Sequence, residues 1–108
     1  MTDITPIDLN DWLHGPDRDI KPILLDVREL REYYVANIKK SILIPLSELS
    51  VEMKYLDVNL PYVCFCHHGI RSAKAVSFLK ENGFKQVYNL TGGIESWSNF
   101  IDSSIPIY

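Results

Sequence analysis

"YVCFCHHGIRSAKAVSFLKENGF", Tyr62 to Phe84, is the stretch on which the fold turns. "YVCFC" is a short apolar run of strand length. "RSAKAVSFLKENG" places Ala73, Val76, Leu79 and Lys80 at helical spacing, with Gly83 at the C′ position where a left-handed residue ends a helix. Between strand and helix, Cys64, Cys66, His67, His68, Gly69 and Arg71 are crowded into eight residues.

The same alternation extends in both directions. Upstream, "TPIDLNDWLHG" reads as a helix with Thr5 at the N-cap, Pro6 at N1 and Gly15 at the stop. "PILLDV" (22–27) is a buried strand, and "RELREYYVAN" suits a helix over 29–36. "SILIPL" is a second buried strand closed by Pro45, and "SELSVEMKYL" a helix capped by Ser47. Downstream, "QVYNL" is a strand and "GGIESWSNFI" a last helix. Strands alternating with helices predict an α/β fold, a parallel sheet covered on both faces. Sites in such sheets lie outside the carboxyl ends of the strands, and Cys66 stands at that end of "YVCFC".

Composition limits the function classes. The 108 residues fit a single domain, 1–108, and 46% are apolar, ordinary for a globular chain. A net charge of −3 with no basic block argues against nucleic acid. No apolar run approaches the ~20 residues that span a bilayer. The start, "MTDITPIDLND", is acidic where a secretory signal would be basic and then apolar. These features predict a soluble, cytoplasmic protein, where two cysteines do not suggest a disulfide framework.

The crowded loop admits several chemistries. Cys64 and Cys66, two apart on a strand, lie about 6.6 Å from each other along it, close to the upper limit for a disulfide. Cys64 reads better as a small core residue. Cys64, Cys66, His67 and His68 are all metal-ligand types, but consecutive residues do not easily surround one ion, and zinc pairs are spaced more widely. Nucleophilic catalysis by Cys66 accounts for more of the stretch. Backbone N–H groups at a helix start favour a negative charge and lower a thiol from ~8.5 to about 3.5–7.5. Gly69 lets the loop curl into a cradle. Arg71 is a cation set against the helix dipole, where an anion would justify it. The bland alternative is a capped βα loop with a buried cysteine and a solvated arginine.

Here the sequence resembles a known family. "CHHGIRS", Cys66 to Ser72, resembles the C-x-x-G-x-R-S active-site loop of rhodanese sulfurtransferases. "LLDVRELREYYVANI", "ILIPLSEL" and "GFKQVYNLTGGIESW" resemble three further family segments, in the family's order, from Leu24 to Trp97. The resemblance implies a rhodanese-like fold with a central five-stranded parallel sheet and helices on both faces, the fifth strand being a short one near Ile4. It implies a catalytic Cys66 that takes a sulfane sulfur from thiosulfate or a persulfide. The loop residues His67, His68, Gly69, Ile70, Arg71 and Ser72 would bind the substrate. A thiol, a protein or cyanide would accept the sulfur, and no metal or organic cofactor would be needed. A sulfur-carrier or binding module for a dedicated protein partner would use the same loop.

The phosphatases of the related fold have five residues between cysteine and arginine. Here there are four, His67 to Ile70, a smaller cradle that fits a sulfur better than a phosphoryl group. Asp26, Arg28 and Glu32 are expected to be structural, Glu32 as a partner for Arg28. Gly92 and Gly93 are expected to admit the chain into the last helix, and Trp97 to pack between helix and sheet. Tyr33, Tyr34 and Tyr55 are candidates for packing positions or for a mouth near the site. His67 and His68 are expected to be solvated, or to shape an entrance and attract anions when protonated. "NIKKSI" departs from the family's H-I-P-G-A segment. Lys39 and Lys40 replace a turn-favouring pair, which predicts a different connection there and a small positive patch. The apolar tail "SSIPIY" is expected to pack on its own domain or on a neighbour.

Overall fold

In the computed structural model, residues 2–16 and 20–108 are described. β1 (Asp3–Ile4) is followed by α1 (Pro6–His14), β2 (Ile23–Asp26), α2 (Leu30–Val35) and β3 (Ile42–Leu43). After the short α3 (Leu49–Glu52) come β4 (Pro61–Phe65), α4 (Ile70–Glu81), β5 (Gln86–Leu90) and α5 (Gly93–Phe100). The strands form one sheet in the order β1-β5-β4-β2-β3, with every neighbouring pair parallel. All the carboxyl ends therefore lie on one edge. The short N-terminal strand expected near Ile4 pairs with β5 at Leu90.

β4 is central and all five of its residues are buried. Its side chains alternate between two cores, as the period of a strand requires. Tyr62 and Cys64 point to the face covered by Ala75, Val76 and Leu79 of α4. Val63 and Phe65 point to the face covered by Leu9 and Trp12 of α1 and Ile94 and Trp97 of α5. Continuing the alternation puts Cys66 in the α4 core, so the strand itself aims its thiol at the start of that helix. Trp97 is packed between helix and sheet, 5% exposed.

Local signals hold well at α1. Thr5 Oγ1 accepts from the Asp8 N–H at 3.1 Å, and Pro6 opens the helix. α2 starts with a capping box between Glu29 and Glu32, and Gly83, at φ +89°, follows the Asn82 C-cap of α4.

Three expectations are corrected. Ser47 caps no helix: the Glu48 N–H donates to Pro45 O at 2.8 Å, so the turn begins at Pro45 and encloses Ser47. The segment then runs as 3₁₀ (Leu46–Glu48), α3, and 3₁₀ again (Met53–Tyr55). The strand in "SILIPL" is confined to Ile42–Leu43, although Ile44 and Leu46 still donate to Asp26 O and Val27 O. The buried stripe of α4 is Ser72, Ala75, Val76 and Leu79, whereas Ala73 and Lys80 are exposed. Val76 and Leu79 keep their expected places, and Ser72 and Ala75 turn inward where Ala73 and Lys80 do not.

Lys39 and Lys40 stand in the connection after α2. Lys40 holds φ +68°, a left-handed conformation that costs a non-glycine residue about 1–2 kcal/mol. The tail packs on its own domain through Ile105, whose carbonyl accepts from Ser98 Oγ at 2.6 Å.

Candidate functional site

The loop from Cys66 to Gly69 closes around a sulfur. Cys66 Sγ accepts the Gly69 N–H at 3.1 Å and the Ser72 N–H at 3.4 Å. Gly69 makes the turn at φ +112°, outside the range of an ordinary side chain. Ser72 Oγ lies 3.3 Å from the sulfur. Burial by itself would push the Cys66 thiol up, but the bonds from Ser72, Gly69 and Arg71 outweigh it and hold the thiol below its ordinary value. Cys64 has no such donors, and burial followed by the nearby Cys66 pushes it up to about 12. The two thiols are both free and buried, and only one is set up to ionise.

The loop is held from outside by two elements. The Ile94 N–H donates to Cys66 O at 2.9 Å and the Glu95 N–H to His67 O at 3.3 Å, so the first free amides of α5 bind the backs of the loop peptides. Gly93, at φ +65°, allows this approach, since a Cβ there would collide with the Cys66 and His67 carbonyls. Gly92 and Gly93 thus admit the chain into α5, as expected, and also clamp the loop. From β5, Asn89 Nδ2 donates to Gly69 O at 3.1 Å and Asn89 Oδ1 accepts from Ser72 Oγ at 2.5 Å. Sequence reasoning missed Asn89. Its period-two place in "QVYNL", opposite Cys64, was the available signal.

Arg71 has a partner within the chain. Its two Nη atoms donate to the two oxygens of Glu32 at 2.6 and 2.9 Å, tying α4 to α2. The Arg71 side chain remains 35% exposed. The expectation that Glu32 pairs with Arg28 is therefore corrected. Arg28 reaches only the Glu32 backbone carbonyl, at 3.3 Å, because its fork is taken by Asp26. Arg28 Nε and Nη2 donate to the Asp26 carboxylate at 2.9 and 2.7 Å. Nη2 also reaches Ala36 O at 2.7 Å and Nη1 the Tyr108 hydroxyl at 2.9 Å. Every donor of the guanidinium is used, which lets both residues be fully buried.

Tyr108 completes the network. Its hydroxyl donates to Glu32 Oε2 at 2.8 Å, and its ring stacks on His67 with centroids 3.9 Å apart and planes 8° from parallel. His67 stacks in turn on His68, 3.9 Å away. His67 is thus a sandwiched ring and not a solvated one, whereas the His68 side chain is 55% exposed. Both face Glu95, His68 Nε2 at 3.2 Å and His67 Nε2 at 3.8 Å from Oε1. Ligand atoms of His67, His68 and Glu95 lie within 4.8 Å of one another. A nitrogen lone pair lies in its own ring plane, however, and these rings are 19° from parallel. One ion cannot meet both in this arrangement. Ile70 is 73% exposed at the outer edge of the loop. Tyr34 and Tyr55 are largely exposed, and Tyr33 stacks edge-on against Tyr34.

Glu32 is expected to govern acid stability. The Arg71 fork holds its carboxyl down to about 2 against burial, with help from the Glu29 N–H and Tyr108. A carboxyl lowered in the folded state adds stability above its unfolded value, and loses it as pH falls through the folded one. The contribution, on the order of 2 kcal/mol, is lost between about pH 4.5 and pH 2. Urea midpoints of the protein and of Glu32→Gln should differ at pH 6 and converge near pH 2.

A parallel sheet whose central strand delivers a cysteine into a cradle of amides defines an α/β domain built around one buried sulfur. The rhodanese-like domain profile matches residues 5–100, and the chain belongs to the rhodanese-like family. It is 34% identical over 89 residues to the thiosulfate sulfurtransferase GlpE of Coxiella burnetii (strain RSA 493 / Nine Mile phase I), covering 82% of this chain and 81% of GlpE. It is 36% identical over 95 residues to the putative sulfur carrier protein YrkF of Bacillus subtilis, covering 88% of this chain and 51% of YrkF. Two relatives from Zea mays are much longer, and the chain spans only 20% and 19% of them. A crystal structure of a rhodanese-related protein from Thermoplasma volcanium superposes over 100% of this chain and 98% of that one, with a TM-score of 0.80 and 35% identity.

Proposed function

We propose that the protein is a sulfurtransferase that carries a sulfane sulfur on Cys66. The observation that supports this most is the sulfur of Cys66 receiving backbone N–H groups at the turn from β4 into α4, in a chain similar to a named thiosulfate sulfurtransferase. The Cys66 thiolate attacks the sulfane sulfur of thiosulfate or of a persulfide. A new S–S bond forms, the old bond to that sulfur breaks, and sulfite or the donor thiolate leaves with the electron pair. The terminal sulfur of the Cys66 persulfide carries the negative charge. An acceptor thiolate or cyanide then attacks that sulfur, and the Cys66 thiolate departs. No side chain is asked to act as general base, because the cradle already favours the thiolate.

The experiment is intact-mass spectrometry after incubation with thiosulfate, followed by a thiol. Addition of one sulfur atom to Cys66 and its loss to the thiol are expected. A protein that never gains sulfur from thiosulfate or from any persulfide would overturn the reading. The likeness to YrkF supports a second reading, a carrier serving a dedicated protein partner. Turnover with thiosulfate against turnover with a protein persulfide separates the two.

Arg71 has the exposed remainder of its charge for an anionic donor. Arg71→Ala should raise the KM for thiosulfate about tenfold, an ion pair of roughly 1–1.5 kcal/mol, and change it little for a neutral persulfide donor. Steady-state kinetics with both donors checks this.

A further inference from the structure

Three polar contacts near Cys66 fix the direction of a hydrogen bond that the heavy atoms alone leave open. Cys66 Sγ and Ser72 Oγ are 3.3 Å apart, and either is able to donate. The carbonyl of Gly69 can only accept, so the Asn89 atom 3.1 Å from it is Nδ2. The other end of the Asn89 amide is therefore Oδ1, which also can only accept. It lies 2.5 Å from Ser72 Oγ, and the single hydroxyl proton of Ser72 must lie between them. A hydroxyl has one proton to give. In the resting protein Ser72 thus offers Cys66 a lone pair, which suits a thiol and opposes a thiolate.

We propose that Asn89 is a positioning residue that holds the Ser72 hydroxyl proton away from Cys66, so that Ser72 accepts from the thiol and can donate to the thiolate only by giving up Asn89. The inference rests on the reading of Cys66 as the nucleophile. It assigns Asn89 a restraining role. The backbone cradle makes the thiol acidic, and the Asn89–Ser72 bond keeps it from becoming more so. For sulfur transfer that restraint is useful. A thiolate loses nucleophilicity as its conjugate acid strengthens, and the best attacking thiol titrates near ambient pH. No atom is transferred when Ser72 turns. The thiol proton goes to solvent, and the hydroxyl proton stays on Ser72 and changes partner.

The other charged or titratable groups that bear on the thiol are Arg71 of α4 and Cys64 of β4. Glu32 of α2 stands behind Arg71, and His67 adjoins Cys66 in the loop and stacks on Tyr108. Cys64 is the ladder partner of Asn89, but the Asn89 side chain bonds to Ser72 and Gly69 and to none of these groups, so a substitution there leaves their charges in place.

The test is a double-substitution cycle read by the pH dependence of Cys66 alkylation with iodoacetamide, on the full chain and without any sulfur donor. Asn89→Ala frees the Ser72 hydroxyl and should lower the midpoint by about one pH unit, the size of one hydrogen bond to a charged sulfur. In a Ser72→Ala background the same substitution should move the midpoint by less than about a third of that. A purely structural Asn89, acting through Gly69 O, would shift both backgrounds equally, and an equal shift overturns the proposal. So does an unchanged or raised midpoint in Asn89→Ala. Should Asn89→Ala fail to fold, Ser72→Ala alone decides. It should leave the midpoint unchanged or lower it, because its hydroxyl proton is engaged elsewhere and only a lone pair is lost, whereas a rise of about a unit would mean that Ser72 already donates to the thiolate and would overturn the proposal. Alkylation requires no sulfur chemistry, so a failure to form persulfide would count against the sulfurtransferase reading alone.

Discussion

Cys66→Ala is expected to abolish sulfur transfer, lowering kcat with thiosulfate by at least about 10⁴-fold, as loss of a covalent nucleophile does. Cys64→Ser is expected to leave kcat within about threefold and to destabilise the fold by about 1–3 kcal/mol, the cost of burying a hydroxyl without a partner. The contrast follows from two thiols on one strand. Both point to the α4 core and both are buried. Only Cys66 has passed the end of the ladder, where backbone N–H groups turn inward on its sulfur. Cys64 sits inside the ladder opposite Leu25 and Asn89, where neighbouring amides are spent on other strands. Thiocyanate formation and urea unfolding measure the two effects separately. Activity retained in Cys66→Ala would sink the covalent mechanism.

Gly93→Ala is expected to cost about 10²-fold in activity without touching the sulfur. The added methyl would stand 2.5 Å from the Cys66 carbonyl oxygen and closer still to that of His67. It would also impose a side chain on φ +65°. Left-handed strain of about 1–2 kcal/mol adds to the loss of the Ile94 and Glu95 bonds to the loop, about 0.5–1.5 kcal/mol each. The total is roughly 2–5 kcal/mol of stability. Displacing the loop by even 1 Å should lower kcat/KM about 10²-fold. Gly83→Ala is the control. It has positive φ but nothing within 4 Å of its added methyl, so it should cost about 1 kcal/mol and leave kinetics unchanged. Equal behaviour of the two variants would mean that the clamp from α5 does not set the loop.

The fold was legible wherever the signal was local. The caps of α1, the left-handed Gly83 and the buried runs of β2 and β4 each follow from neighbouring residues, and the alternation of strand and helix forces the parallel sheet. At 46–55 two polar serines and a helical composition suggest a capped helix, while Pro45 starts the turn two residues earlier. The loop itself was legible as a cradle because Cys66, Gly69 and Arg71 are adjacent in sequence. What holds it was not. Glu32 was matched to Arg28, its neighbour in the chain, when the fold gives it Arg71 across two elements. Glu95 and Tyr108 carry no local signal at all, and Asn89 only its period-two place in a strand, since each acts on the loop from a separate element. A pairing that depends on how two helices meet is not written in the spacing of either.

Tyr108 joins residues 76 and 80 positions behind it, through Glu32 and Arg28, and stacks on the loop through His67. These are among the most distant contacts in sequence that the chain makes, and distant contacts form late and close the largest loops. A chain emerging from the ribosome can complete the sheet through β5, and even the clamp from α5, before this tyrosine arrives. The contacts that set the outer wall of the sulfur site are therefore separate from those that build the sheet. An incomplete chain could hold its core and still lack a finished active site.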